Sequence, residues 1–384
     1  MSLNYCEIQV KNLEANIQSF KTHFKQANQP NIIIAPTVKS NAYGHGIVMS
    51  AKAFIRGGAD WLCVHHVSEA VILREHQIEV PIYVFGPTGF DELDLIVKYD
   101  LRVVVYHLEN IQRLENIAES MGISERIKLH LKLETGNHRQ GVEIDEALKL
   151  AEVIKASRFL RLEGICSHFA NVEDTTEHHY AKKQLDRFQE MAKILQAHGH
   201  EIKIKHIANS AASILWPDTC MDMVRIGISA YGLWPSKESK VVAQYLGNQI
   251  QLKPALQWKT KVMQIKKVGA QQSIGYGCTY TTTHPILLAI LPVGYYEGYD
   301  RGLSNLAYVL IRGKRAYVRG RICMNITMVE ITDIPDVCLE DEVVLLGKQG
   351  DEVISAEQVA SWANTINYEI VTRIAGHLPR IAVE

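Results

Sequence analysis

Lys39 stands at the carboxyl end of an apolar, β-branched run, Asn31-Ile32-Ile33-Ile34-Ala35, within the segment Pro36-Thr37-Val38-Lys39-Ser40-Asn41-Ala42-Tyr43-Gly44-His45-Gly46. The run reads as a buried parallel strand, and Ile47 to Ile55 as the helix that follows it. In an α/β protein the loops at that end of the strands are free of packing duty and carry chemistry. A lysine by itself is ordinarily a solvated surface charge. This one follows an apolar strand, and a partly desolvated amine releases its proton more readily than the free value of about 10.4 allows, which suits Schiff-base chemistry. Gly44 and Gly46 permit a sharp turn, and Tyr43 and His45 add polar tips beside the amine.

Other chemistry-bearing residues fall at the same ends of later strands. The fifth strand contributes Lys132, Glu134, Asn137 and Arg139, the sixth His168, the seventh His206, Asn209 and Ser210, and the eighth Arg225 before Gly227-Ile228. Taken singly, each histidine reads as a satisfied structural residue and each arginine as a surface ion pair. Taken together they point to one functional face, because solubility alone would make the opposite face equally polar.

The elements that must position them alternate. Strands are expected at Ile32 to Val38, Trp61 to His65, Pro81 to Gly86, Arg102 to Tyr106, Ile127 to Leu133, Leu162 to Ser167, Ile202 to Ile207 and Met223 to Ile226, with amphipathic helical stretches between them. Eight such units favour a TIM-type (β/α)8 barrel over an open sheet, and no Gly-x-Gly-x-x-Gly follows the first strand. From Ser236 to Gln251 the chain is polar enough for a linker, and Trp258 to Lys266 alternates as one half-exposed strand. Further strand-like runs, an Arg312-Gly313-Lys314 hairpin turn and a helix from Ser355 to Asn364 make a second, mostly β domain. The expected division is 10–240 for the barrel and 241–384 for the β domain, with residues 1–9 able to add a strand to either.

Composition narrows the function classes. The 384 residues are 47% hydrophobic, and 41 basic side chains against 42 acidic ones leave a net charge of -1 with no long like-charge run. Neither nucleic acid nor a membrane surface is expected as a partner, and a small molecule is. The chain opens without a signal-like segment and reads as cytoplasmic. Seven scattered cysteines, with no C-x-x-C pair, suggest neither disulfides nor a metal site.

The segment Val38 to Gly46 resembles the pyridoxal-phosphate attachment site of the alanine racemases, whose lysine holds the cofactor covalently. The resemblance extends in order to Asn367-Tyr368-Glu369. It implies that Tyr43, His168, Asn209, Ser210, Arg225, Gly227, Ile228 and Tyr368 contact the cofactor, with Arg225 at the pyridine nitrogen and the Gly227 and Ile228 N–H groups on the phosphate. Amino-acid decarboxylases of the same barrel class place a glutamate where Arg225 stands. Ser273 to Tyr280 resembles the segment supplying a second base, Tyr276, from the other subunit of a head-to-tail homodimer. A packed strand aromatic is its ordinary reading, and as a base its phenol, with a free value near 10, needs cationic neighbours such as Arg225 acting through His168. Inversion requires one proton-transfer group on each face of a planar intermediate, here Lys39 and Tyr276. Arg139 and the Met324 N–H are implied on the substrate carboxylate, Tyr295 at the entrance, and Lys132, carbamylated in many members, and His206 in support.

Departures from the family pattern bear on the substrate. Asn325 stands where an acidic residue is usual, and Asn137 and Gln140 make the wall near Arg139 more polar. The expected activity is racemisation of alanine. A broad-spectrum or serine-type racemase with the same cofactor is the alternative, followed by a non-catalytic pyridoxal-phosphate carrier and a barrel in which Lys39 is only a loop lysine.

Overall fold

The computed structural model describes residues 2–173 and 177–384, which form two compact units: Lys11–Ala42 with Ile47–Lys253, and Met1–Val10 with Tyr43–Gly46 and Pro254–Glu384. The strands are numbered along the chain, and β1 (Tyr5–Gln9) belongs to the second unit.

The first unit is the expected parallel barrel. Its strands are β2 (Ile33–Pro36), β3 (Leu62–Val64), β4 (Ile82–Val84), β5 (Arg102–Val105), β6 (Ile127–Lys132), β7 (Leu160–Cys166), β8 (Ile204–His206) and β9 (Met223–Ile226). β3 to β8 form one continuous parallel sheet, and β2 pairs in parallel with β9. A Thr37–Cys63 bridge joins β2 to β3, and the Arg225 N–H donates to the Ala208 carbonyl (3.1 Å) between β9 and the end of β8. Ala35, Cys63, Tyr83, Val104, Cys166, Ile204 and Met223 fill the interior, one inward position from each of seven of the eight strands, as the period of two dictates. The helix Val10–Gln26, which the sequence reading left unassigned, precedes β2.

One expectation for this unit is corrected. The stretch Ser236–Gln251 is not a plain linker, because Lys237–Tyr245 is helical. Ser236 caps it by accepting from the Ser239 N–H at 2.9 Å, and Ala243 is buried while Val241 and Tyr245 face outward. With so few buried positions, its hydrophobic periodicity is too weak to read.

The second unit is built on a ten-stranded sheet. Its further strands are β10 (Leu256–Lys261), β11 (Gln264–Val268), β14 (Ile286–Leu291), β15 (Tyr308–Ile311), β16 (Lys314–Val318), β17 (Thr327–Glu330), β18 (Glu342–Gln349), β19 (Glu352–Ile354) and β20 (Arg380–Val383), with β12 (Ser273–Ile274) and β13 (Tyr280–Thr281) forming a separate ribbon. β1 pairs antiparallel with β10 and parallel with β20. The single strand expected over Trp258 to Lys266 is two. At Val262–Met263 the backbone changes partner, bonding to Asp341 and then to Ile290, so β10 lies beside β18 while β11 takes an edge beside β14. The expected hairpin turn joins β15 to β16, with Arg312 and Gly313 both at positive φ (51° and 72°).

Candidate active site

β2 leads into a turn of opposite hand. Ser40, Asn41, Ala42 and Tyr43 all have φ between 51° and 55°, forming a left-handed turn of four side-chain-bearing residues. Such a conformation costs about 1–2 kcal/mol per residue, so the surroundings must over-determine it. They do so in several ways. The Ala42 N–H donates to the Val38 carbonyl (2.9 Å), Asn41 Oδ1 accepts from the Ile47 N–H (2.9 Å), and the Ser40 N–H donates to Glu69 Oε1 (2.6 Å). Glu69 Oε2 also accepts from the N–H groups of His65 (2.9 Å) and His66 (3.1 Å), tying the loop after β3 to the loop after β2. The sequence reading missed Glu69, although a glutamate three residues into a helix that follows a strand is a recognisable cap signal. Lys39 opens the turn. Its amine lies 5.5 Å from the Phe85 ring centre, and burial, aided by the Arg139 cation, lowers its pKa from the usual lysine value.

Arg225 projects from β9 and is 9% exposed. Its guanidinium donates to the Ser167 carbonyl (2.8 Å), the Ile207 carbonyl (3.2 Å), His168 Nδ1 (3.3 Å) and His206 Nδ1. Because a guanidinium only donates, both histidines must present a lone pair at Nδ1 and carry their proton at Nε2. His206 Nε2–H then donates to His130 Nδ1 (2.8 Å), and His130 Nε2–H to Glu163 Oε2 (3.2 Å). The chain of bonds runs one way through the barrel, from a fixed cation to a carboxylate. Burial and then the Arg225 cation drive the pKa of His168 and of His206 well below the ordinary histidine range, so both are neutral. His130 and Glu163 were not among the residues read from the sequence; their signal is polar side chains inside otherwise apolar strands.

Ser210 and Asn209 sit where β8 gives way to the helix Ser210–Leu215. Asn209 Oδ1 caps that helix by accepting from the Ala212 N–H (3.0 Å), and its amide donates to Glu173 (3.1 Å). Ser210 Oγ accepts from the Gly227 N–H (2.8 Å). Ile228 opens the short helix Ile228–Tyr231, and first-turn N–H groups have no acceptor inside a helix. A hydroxyl and backbone N–H groups therefore gather at the ends of β8 and β9, a donor set suited to an anion.

Lys132 ends β6 and is 9% exposed. Burial, reinforced by the Arg225 and Arg139 cations, pushes its ammonium down to about 8 from 10.5. Across that window the unfolded chain binds a proton that the folded chain has released, so stability rises with pH, by on the order of 3 kcal/mol for this group. Denaturant unfolding in carbon-dioxide-free buffer is expected to show that rise in the wild type and not in Lys132→Met. Beyond Lys132, Glu134 accepts from the N–H groups of Gly136 and Asn137. Asn137 bonds to the His168 carbonyl (3.4 Å) and Gln140 to the Tyr106 hydroxyl (3.2 Å), so the two polar departures are satisfied within the wall. Arg139 is exposed and has no hydrogen bond or ion pair to a described residue.

The remaining predicted residues lie in the second unit. Tyr276 stands in the loop between β12 and β13, flanked by Gly275 (φ 71°) and Gly277 (φ 72°), and is 71% exposed. Tyr295 and Met324 come together because the Tyr295 N–H donates to the Cys323 carbonyl (3.1 Å) and the Tyr296 N–H to the Met324 carbonyl (2.9 Å). A side chain at Gly294 would put a Cβ 2.1 Å from the Cys323 oxygen. Tyr43 and Tyr368 stand together with ring centres 6.2 Å apart.

Residues 8–235 match the family model of the alanine racemase N-terminal domain, and residues 255–382 that of its C-terminal domain. The alanine racemase of Halothermothrix orenii is 40% identical over 370 residues, spanning 96% of this chain and 95% of its own. That of Carboxydothermus hydrogenoformans is 39% identical over 383 residues, with 99% of each covered. The crystal structure of alanine racemase from Bacillus anthracis with bound L-Ala-P has a TM-score of 0.91 at 33% identity, covering 100% of this chain and 96% of that one. A histidine racemase from Leuconostoc mesenteroides, 24% identical with a TM-score of 0.88, shares the fold. Matched in both domains and over nearly its whole length, the chain belongs to the alanine racemase family and is an amino-acid racemase.

Proposed function

We propose that the chain interconverts L-alanine and D-alanine with pyridoxal 5'-phosphate, using Lys39 and Tyr276 as bases on opposite faces of the substrate. The donor chemistry fits this cofactor. Lys39 offers an amine of lowered pKa to its aldehyde, Arg225 a donor-only cation to its ring nitrogen, and Ser210, Gly227 and Ile228 donors to its phosphate.

The cofactor supplies the electron sink that makes the substrate Cα–H acidic. Lys39 Nζ takes or returns the proton on one face, and the Tyr276 phenolic oxygen does so on the other. Arg225 would donate to the ring nitrogen and could not protonate it, which would temper the sink and favour prompt return of the proton over side reactions. The observation that carries the reading is the one-way chain from Arg225 through His206 and His130 to Glu163, which holds a guanidinium in place with neutral histidines around it. The resemblance assigns Arg139 and the Met324 N–H to the substrate carboxylate and Tyr295 to the entrance.

Tyr276 is supplied by the second copy in a homodimer. Supporting this, Tyr276, Tyr295, Tyr296, Met324 and Ile326 are exposed large apolar side chains on neighbouring segments of the second unit. The enzyme is proposed to be cytoplasmic, and its seven free cysteines suit a reducing compartment. No helix among the described residues is long and apolar enough to cross a membrane.

The test is the rate of D-alanine formation from L-alanine by the cofactor-loaded protein, beside serine, lysine, arginine and histidine. Alanine is expected to be turned over fastest. Equal or faster turnover of a larger amino acid favours the broader-spectrum reading, for which the polar wall of Asn137 and Gln140 is the motive.

A further inference from the structure

Glu297 is a carboxylate buried to 6% exposure within the second unit, and no role in proton transfer or cofactor binding falls to it. Its Oε2 accepts from the Gly294 N–H at 2.8 Å and its Oε1 from the Asn325 side-chain amide at 2.7 Å, while its backbone carbonyl accepts from the Ala375 N–H at 3.0 Å. The carboxylate thus cross-links the Gly294–Tyr296 segment to the Cys323–Ile326 turn, the two segments that carry Tyr295 and Met324. Position 325 lies in the exposed stretch 324–326, one residue beyond the N–H assigned to the substrate carboxylate.

The polarity of this link is forced. An ionised carboxylate only accepts, so its partner at 325 must donate, and an amide donates without carrying charge. We propose that Glu297 and Asn325 act together as an affinity-setting pair: their bond stabilises the Met324 turn, and its direction keeps the one negative charge at the buried position and off the rim that meets the substrate carboxylate. This rests on the assignment of the Met324 N–H to that carboxylate. A full negative charge at 325, on a partly solvated rim one residue from the N–H assigned to the substrate carboxylate, is expected to weaken binding about three- to tenfold.

Three variants of the cofactor-loaded enzyme separate the link from the charge. Asn325→Ala breaks the bond and adds no charge: Tm falls by a few degrees and KM for alanine stays within about twofold of the wild type. Asn325→Asp breaks the bond, because two carboxylates then face each other, and also places charge on the rim: Tm falls and KM rises about three- to tenfold with kcat changed less. The double variant Glu297→Gln with Asn325→Asp rebuilds the bond in the opposite direction. The side-chain oxygen of the introduced glutamine still accepts from the Gly294 N–H, its amide now donates to the introduced aspartate, and the charge has moved outward. Here Tm returns to near the wild-type value while KM stays raised, and the inhibition constant of propionate, a short carboxylate, rises in parallel. A double variant that regains neither Tm nor activity, one that regains both Tm and the wild-type KM, or an Asn325→Ala variant whose KM rises as far as that of Asn325→Asp overturns the proposal. The wild type separates this from the functional reading beneath it, since an enzyme that neither racemises alanine nor is inhibited by propionate refutes that reading before any variant is made.

Discussion

Replacing Lys39 with alanine is expected to lower racemisation by about 10⁴-fold or more and to remove the visible absorbance of the bound cofactor. On the proposed mechanism two functions leave with one side chain, covalent tethering and proton transfer at one face. Lys132 ends a different strand, four places away around the barrel, and is almost fully enclosed. Folding should survive, because the left-handed turn is held by backbone bonds to Val38 and Glu69 and by the Asn41 side chain, none of which uses the Lys39 amine. Circular dichroism and Tm near those of the wild type, together with partial rescue by added methylamine, would separate lost chemistry from lost structure. A Lys39→Ala enzyme that racemises alanine at an appreciable fraction of the wild-type rate would remove this residue from the mechanism.

Tyr276→Phe is expected to reduce racemisation by about 10²- to 10⁴-fold, the usual worth of a general acid–base group, while the bound cofactor absorbs as before. The hydroxyl is all that changes, and Tyr276 is exposed between two glycines at positive φ, so its loss disturbs no packing. The decisive readout is isotopic. With one base left, the alanine enantiomer whose Cα–H faces Lys39 should still exchange that hydrogen with deuterated solvent, and it should do so without inversion. Exchange abolished for both enantiomers would mean that Tyr276 serves binding rather than one face of the proton transfer. Loss of cofactor absorbance would likewise count against its assigned place. The proposed homodimer adds a further expectation: if the base is lent by the second copy, activity falls when the protein is diluted below the dimer dissociation constant.

Both predictions began as patterns in the chain. A lysine after a β-branched run and polar residues at the ends of successive strands were legible because strand periodicity and loop placement are local properties. The eight parallel strands were legible for the same reason, each being a short buried run bounded by loops. Where burial is slight the local signal fades. The helix Lys237–Tyr245 passed for a linker because so little of it is buried, and β10 and β11 merged because their alternation continues across the point where the hydrogen-bonding partner changes.

What the amino-acid order determined by itself, then, was the kind of side chain available at each strand end and the family resemblance those side chains carry in series. Only the tertiary structure decided how they are held. The four-residue turn of reversed hand after Lys39 contradicts the local preference of Ser, Ala and Tyr, and it exists because Glu69, twenty-nine residues beyond Ser40, and the flanking backbone outweigh that preference. The tautomers of His168 and His206 follow from a guanidinium contributed by another strand, and the lowered pKa of Lys132 follows from its enclosure. Each of these is a long-range electrostatic or steric balance among residues far apart in the chain, and no window of neighbouring residues contains its terms.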